Sequence, residues 1–354
     1  MTKLRIAQVA PLYESVPPKL YGGTERVVSY LTEELVSLGH EVTLFASGDS
    51  VTNARLIPGS KRSLRLDEYC EDQLVHHIGM LQLLLDHSEE FDVVHFHIDY
   101  LHFPLSRLIR LPHVTTLHGY LGIPDLKPFY AAFRDMPVIS ISQQQRTPLP
   151  EINWVGNVYH GLPADLLEPR YSEGKYLAFL GRVSPEKGLE RAIDIALRSE
   201  VPFKIAAKID KKDEEHFEQR IRTLLDHPLL EFVGEISEKE KNDFIGNAIA
   251  LLFPISWQEP FGLVMIESLA CGCPVVAYNI GSVSEVIDDG VTGFIVADQE
   301  NAVQAVGNIR LISRRECRRV FDERFTASRM TQDYLSVYSR ILEMERDLFD
   351  VKLA

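Results

Sequence analysis

A chain of 354 residues, 45% hydrophobic and 25% charged, has the composition of an ordinary globular protein and the length of two domains of roughly 100–200 residues each. Its formal net charge of −14 excludes broad non-specific attraction to nucleic acid or to anionic lipid, because the summed field repels both. Cys70, Cys271, Cys273 and Cys317 show neither paired CxxC spacing nor zinc-finger histidines, which fits a reducing compartment. The first apolar run stops at Pro11, too short for a signal peptide, and no segment approaches ~20 apolar residues. The expected setting is therefore cytoplasmic, soluble or at most peripheral to a membrane.

Residues 4–10 read as the first strand. The loop after it holds three prolines and ends in Gly22-Gly23-Thr24, directly before a helix with Val27, Val28, Leu31 and Leu35 on one face. The two glycines let the backbone approach a ligand, and Thr24 is the expected helix cap. A strand over 41–47 completes a βαβ unit. Residues 48–72 are polar and read as an excursion, in which Lys61, Arg62 and Arg65 either meet an anionic acceptor or are simply solvated. A helix over 74–85, a strand over 92–97, a helix over 101–110 and a strand over 113–117 follow. The last delivers His118-Gly119 to the carboxyl end of a sheet, where open α/β sheets bind ligands. His95, His97 and Asp99 alternate along one face; the residue types suit a metal, but buried, satisfied histidines give the same pattern, and no metal is assigned. Strands over 138–142 and 153–159 finish this half, and 165–174 reads as a linker.

A strand over 175–180 ends at Gly181-Arg182. Arg182 and Lys187 flank the next loop, and Gly188 opens a helix with Ala192, Ile193 and Ala196 inward. Two cations at such a turn suit a diphosphate, which they neutralise and turn into a better leaving group. Strands over 203–207 and 230–233 and helices over 213–225 and 239–248 lead to the stretch 259–276, EPFGLVMIESLACGCPVV. An apolar run over 249–255 precedes it. Leu263, Ile266, Leu269 and Ala270 recur at helical spacing, Gly272 stops the helix, and 275–277 is β-branched: strand, loop, helix, strand. The helix N-terminus favours an anion. Glu259 and, eight positions later, Glu267 can face the same crevice. Carboxylates accept hydrogen bonds from hydroxyls and repel phosphate, so the economical ligand carries hydroxyls on both sides of a phosphate: a sugar nucleotide. The plain alternative is a surface helix with solvated acids. Asp288-Asp289-Gly290 reads as a turn, 293–296 as a strand, and 300–325 and 330–342 as helices. The Rossmann GxGxxG, the Walker loop, the GxSxG elbow and the HExxH helix are missing, so hydride transfer, P-loop chemistry and serine or zinc hydrolysis lose support.

Four features in order, Tyr21-Gly22-Gly23-Thr24, His118-Gly119, GRVSPEKG at 181–188 and the 259–276 stretch, resemble the signature of retaining glycosyltransferases of family 4 and span nearly the whole chain. The resemblance implies an α/β GT-B fold, two doubly wound Rossmann-like domains facing across a cleft. The N-terminal, mainly acceptor-binding domain would cover 1–162, the C-terminal donor domain 163–330, and a helix over 331–354 would cross back to the N-terminal domain. It implies a metal-independent hexosyltransferase without a cofactor. Its donor would be a nucleoside-diphosphate sugar of UDP or GDP type, and its acceptor a hydroxyl, for example of a lipid-linked glycan, in glycan, polysaccharide or glycolipid assembly.

Within that resemblance the catalytic candidates are His118, near the transferred sugar, Arg182 and Lys187, on the departing diphosphate, and Glu259, on sugar hydroxyls. Glu267 would bind the ribose, and the turn at Ile236 would frame the base. The backbone N–H groups of Phe261, Gly262 and Leu263 would touch sugar or phosphate, and the Gly22-Gly23 loop would meet the donor phosphates or the acceptor. Retention by two displacements needs a nucleophile on the far face, and no residue offers itself. Same-face attack, with the leaving phosphate taking the acceptor's proton, is the expected mechanism. Three rivals stand beside it. A GT-B nucleotide-sugar epimerase fits the E-x7-E and GR-x4-KG pairing less well, a glycan phosphorylase would need a pyridoxal-phosphate lysine, and a non-catalytic sugar-nucleotide-binding protein would lose its sugar contacts.

Overall fold

Short β-branched and aromatic runs form the strands, and amphipathic stretches between them supply the helices that cover both faces. The computed structural model describes residues 3–19, 21–109 and 111–353; Met1, Thr2, Leu20, Ala354 and the expected helix end at Arg110 lie outside them. The first sheet is built from β1 (Arg5–Val9), α1 (Gly23–Ser37), β2 (Glu41–Ser47), β3 (Arg55–Ser60), α2 (Gln73–Asp86), β4 (Val93–Phe96), α3 (Phe103–Ser106), β5 (His113–Thr116), α4 (Leu126–Ala132), β6 (Val138–Ser140) and β7 (Trp154–Asn157). Its strands run parallel in the order β3-β2-β1-β4-β5-β6-β7. The order reverses between β1 and β4, and their register sets Gln8 beside His95. One core cluster joins Val9, Phe45, Met80, Leu84 and Phe96 from both sides of that reversal.

The second sheet follows the same logic through β8 (Tyr176–Arg182), α5 (Leu189–Arg198), β9 (Phe203–Lys208), α6 (Glu214–His216), β10 (Leu230–Gly234), α7 (Glu238–Gly246), β11 (Ala248–Phe253), α8 (Leu263–Ala270), β12 (Val275–Tyr278), α9 (Val283–Val286), β13 (Gly293–Val296), α10 (Gln299–Asn308) and α11 (Arg314–Arg324). Its order is β10-β9-β8-β11-β12-β13, again all parallel, with the reversal between β8 and β11. In such sheets the crevice for a ligand opens at the carboxyl ends of the two strands flanking the reversal. The chain divides into a unit that runs to Gly161 and resumes at Ala327, and a continuous unit, Leu162–Thr326. The resumed segment is α12 (Ala327–Leu353), whose Tyr334 and Tyr338 are fully buried. Among the described residues no helix is long and apolar enough to cross a membrane.

Four local expectations are corrected. The 48–72 excursion contains β3, an edge strand that tolerates Pro58 because its outer side has no ladder partner. Thr24 does not cap α1: the helix starts at Gly23, the cap position is Gly22, and no side chain bonds there. The helix expected over 101–110 is α3, only four residues long. The charged helix over 213–225 is instead a single turn, α6, followed by a wide π turn (Phe217–Ile221) and a 3₁₀ turn (Arg222–Asp226).

Candidate active site

In the second unit the reversal of strand order brings the loops after β8 and β11 together. β8 delivers Arg182, and a 3₁₀ turn, Pro185–Lys187, carries Lys187 to Gly188, which sits at φ 77 as the cap of α5. A Cβ on Gly188 would lie 2.1 Å from the Pro254 carbonyl oxygen, so glycine is what allows the two loops to touch. The Lys187 ammonium forms a close ion pair with Glu259 and lies 4.8 Å from the centre of the Trp257 ring. The Trp257 indole N–H donates to the same carboxylate at 3.0 Å. Glu259 is 9% exposed, so the pair is partly dehydrated and its attraction is stronger than at an open surface.

The loop bearing Glu259 is clamped from β12's side. Ser282 N–H donates to the Glu259 carbonyl at 3.1 Å, Ser282 Oγ donates to the Phe261 carbonyl at 2.7 Å, and Gly281 N–H donates to Gln258 Oε1 at 3.1 Å. Gly262 (φ 81) then opens α8 with no side-chain cap, and Leu263 is its first residue. The free ends of first-turn N–H groups there suit an anion. Glu267, one turn on, is held by Lys241 of α7 at 2.5 Å, and Lys241 also meets Glu238 at 3.2 Å. Arg182 lies among three acids: Glu186 at 2.7 Å, Asp213 at 3.6 Å and Asp210 at 3.7 Å. Ile236 stands between β10 and α7, the helix that supplies Lys241. It lines a groove of about 640 Å³ that follows α7 to the amino ends of β8, β9 and β10 at Tyr176, Phe203 and Leu230.

In the first unit the carboxyl ends of β4 and β5 carry a buried histidine group. His118 Nε2 lies 2.9 Å from His97 Nδ1, and the His118 and His160 rings stack at 5.3 Å. His95 and His97 are satisfied by hydrogen bonds on both ring nitrogens, which is the ordinary explanation of their alternation. Burial pushes His118 down to about 3, so it is neutral at physiological pH. Asp99, at φ 50, accepts the His118 backbone N–H; burial pushes its carboxyl up to about 6, with that hydrogen bond pulling the other way. At the Gly22-Gly23 loop, a Cβ on Gly22 would lie 2.7 Å from Pro18. The first turn of α1 presents Glu25, 5% exposed, whose carboxyl burial raises while its own backbone N–H and Arg65 oppose the shift. This N-terminus already has an acid of its own.

Two family models match adjoining parts of this chain: glycosyltransferase family 4 over residues 21–146 and glycosyl transferases group 1 over residues 168–326. The chain belongs to the family 4, group 1 glycosyltransferases. This glycosyltransferase is 28% identical to an uncharacterized glycosyltransferase of Methanocaldococcus jannaschii, over 67% of its own chain and 70% of the relative. It is 26% identical to phosphatidyl-myo-inositol mannosyltransferase of Mycolicibacterium smegmatis, over 83% and 81% of the two chains. Its fold is GT-B, two Rossmann-like domains. HepE of Anabaena, solved in complex with UDP and glucose, superposes with a TM-score of 0.74 at 16% identity, covering 95% of this chain and 100% of that one.

The glycosyltransferase thus brings Lys187 and Glu259 together and sets Gly262 at the start of the next helix and Leu263 and Glu267 on it. Sequence reasoning missed Lys241, Trp257, Asp210 and Asp213. A capping box at Ser237 and Glu240 was the available signal for α7, and hence for the side chain of Lys241.

Proposed function

We propose that this glycosyltransferase moves a hexose-type sugar from a nucleoside-diphosphate sugar to a hydroxyl acceptor, with retention of anomeric configuration and without a metal ion. The observation that carries the reading is the Lys187–Glu259 pair at the strand reversal, beside Arg182 and the uncapped start of α8. In the resting chain each partner satisfies the other. A nucleotide sugar offers a replacement for both, phosphate for the ammonium and hydroxyl for the carboxylate, so binding costs neither group its partner.

In the reaction Arg182 and Lys187 stabilise the departing diphosphate, supplying positive charge where a divalent ion would otherwise do so. The N–H groups of Phe261, Gly262 and Leu263 meet its oxygens or the sugar. Glu259 holds sugar hydroxyls and Glu267, steadied by Lys241, the ribose; the Ile236 turn frames the base. The bond from the anomeric carbon to the diphosphate breaks, a bond from the same carbon to the acceptor oxygen forms on the same face, and the acceptor's proton passes to the leaving phosphate. In the first unit we assign His118 to the sugar hydroxyls and the Gly22-Gly23 loop to donor phosphate or acceptor. The HepE complex supports UDP as the first nucleoside diphosphate to try, and the mannosyltransferase relative supports a lipid-linked acceptor. The proposed setting is cytoplasmic, with peripheral membrane contact for such an acceptor.

The test is thermal stabilisation by a panel of nucleoside diphosphates and their sugars, for wild type, Arg182→Ala and Glu267→Ala. A ligand at ~100 times its dissociation constant adds about 2.7 kcal/mol. One diphosphate stabilising wild type alone supports the donor site; none doing so sinks it. Nuclear magnetic resonance of the product then reads the anomeric configuration, and a trapped glycosyl-enzyme on a carboxylate would overturn same-face attack.

A further inference from the structure

Behind His118 runs a line of buried polar side chains for which the reaction above has no use. His118 Nε2 meets His97 Nδ1 at 2.9 Å, and His97 Nε2 meets Gln8 Oε1 at 2.8 Å. Gln8 Nε2 donates to the Tyr338 hydroxyl at 3.1 Å, which lies 2.7 Å from His95 Nδ1. His95 Nε2 is 2.7 Å from Thr116 Oγ1, and that hydroxyl donates to Tyr334 at 3.1 Å. Gln8, His95, His97 and Tyr338 are all buried. The line is anchored by backbone, since Gln8 and His95 are register partners and the His97 N–H donates to the Val9 carbonyl.

The direction of the protons follows from one amide. Burial lowers all three imidazoles, so each is neutral and carries one N–H. The Gln8 carbonyl oxygen can only accept, so His97 holds its proton on Nε2. His97 Nδ1 is then a lone pair, so His118 holds its proton on Nε2 as well. The remaining atom, His118 Nδ1, is a lone pair, and it is buried with no hydrogen-bond partner among the described residues. Tyr338 keeps the relay in this sense: Thr116 donates to Tyr334 and so accepts from His95 Nε2, His95 Nδ1 then takes the Tyr338 proton, and the Tyr338 oxygen, left only to accept, opposes the flip that would turn the Gln8 carbonyl toward it and reverse both tautomers.

We propose that Gln8 and His97 are positioning residues that hold His118 as the Nε2–H tautomer, so that Nδ1 is presented as an acceptor for a substrate hydroxyl. This rests on the reading that His118 serves sugar transfer. Buried lone pairs without partners are costly, and a hydroxyl arriving at Nδ1 removes that cost. With the other tautomer the same atom would be a donor, and it would bond the hydroxyl oxygen in the opposite sense.

Long-range ¹H–¹⁵N spectra of protein labelled at histidine, with His118 assigned through His118→Gln, read the tautomer directly. Wild type is expected to show a protonated Nε2 and an unprotonated Nδ1 at His118. Gln8→Leu removes the acceptor and should mix the two forms; Gln8→Glu keeps an oxygen toward His97 and should restore the first. Tyr338→Phe leaves the core packing intact and should mix the forms in part, so the relay stays testable if Gln8→Leu does not fold. In transfer assays Gln8→Leu should lower kcat about tenfold, the scale of one hydrogen bond, with donor KM within about twofold and Gln8→Glu close to wild type. A protonated Nδ1 in wild type, or a tautomer unmoved by both Gln8→Leu and Tyr338→Phe, overturns the relay. An unchanged kcat in a variant with mixed tautomers overturns its role in transfer. If wild type transfers sugar from no donor, the transferase reading fails, and the spectra alone then decide the relay.

Discussion

Asp99 gives the folded protein a pH dependence that can be isolated by one substitution. Its carboxyl stands just past β4 in the left-handed region and accepts the His118 backbone N–H, and burial raises it from 3.8 to about 6. Between those two values the folded chain binds a proton that the unfolded chain has released. Stability from this group therefore falls as pH rises through that window and is level above it. At about 1.4 kcal/mol per pH unit that window amounts to up to about 3 kcal/mol, an upper bound because Asp99 keeps some solvent contact. Asp99→Asn keeps an acceptor and loses the titration, so its gain over wild type should be smallest near pH 4 and largest above pH 7. The buried His95, His97 and His118 act with the opposite sign: their pKa values are lowered, so their stabilisation is present above about 6.5 and is lost as pH falls below it. That slope is shared by both proteins and cancels in the difference. Urea unfolding in a Trp257→Phe background lets Trp154 alone report the unit that holds Asp99. A difference independent of pH, or one that grows toward acid, would refute the reasoning.

Gly188→Ala should cost about 2 kcal/mol or more, because the new Cβ meets the Pro254 carbonyl at a φ that alanine disfavours; an unchanged melting temperature would mean the two loops part freely. A double-mutant cycle of Lys187→Met and Glu259→Gln should give a coupling of about 1–3 kcal/mol in urea unfolding, and a value near zero would class the pair with solvated surface ions. Tyr338→Phe should cost about 1–3 kcal/mol in unfolding of the first unit, since it strips a partner from both Gln8 and His95. A loss below about 0.5 kcal/mol would show that the Gln8 amide finds another acceptor.

The strands were legible where both faces are buried, because a parallel sheet covered by helices needs apolar runs such as AIALLF in β11. β3 was not: it lies at the sheet edge with Arg55 and Pro58 exposed, so these residues carry no penalty there and no period-two signal marks the strand. Glu259, Lys187 and Gly188 were legible as types in a pattern, but their direct pairing was not, since 72 residues separate the lysine from the carboxylate. Two of the three acids around Arg182, Asp210 and Asp213, come from the loop after β9, and Lys241 comes from a different helix than Glu267. Local sequence holds no record of such pairings; only the order of the strands creates them. The alternation of His95 and His97 did show in the sequence. What it meant depended on Gln8, from a neighbouring strand, and on Tyr338, which is 330 residues away from Gln8.

That last separation also dictates a timetable. During synthesis the unit Leu162–Thr326 emerges whole and can close before the sheet that precedes it is finished, because α12 has yet to leave the ribosome. Until it does, Gln8, His95 and Thr116 face water in place of Tyr338 and Tyr334. The half made first is completed last. Nascent chains stalled with only residues up to 326 exposed should accordingly resist protease across the later unit while the earlier one is cut, and equal resistance of both would show that the first sheet closes without its tyrosines.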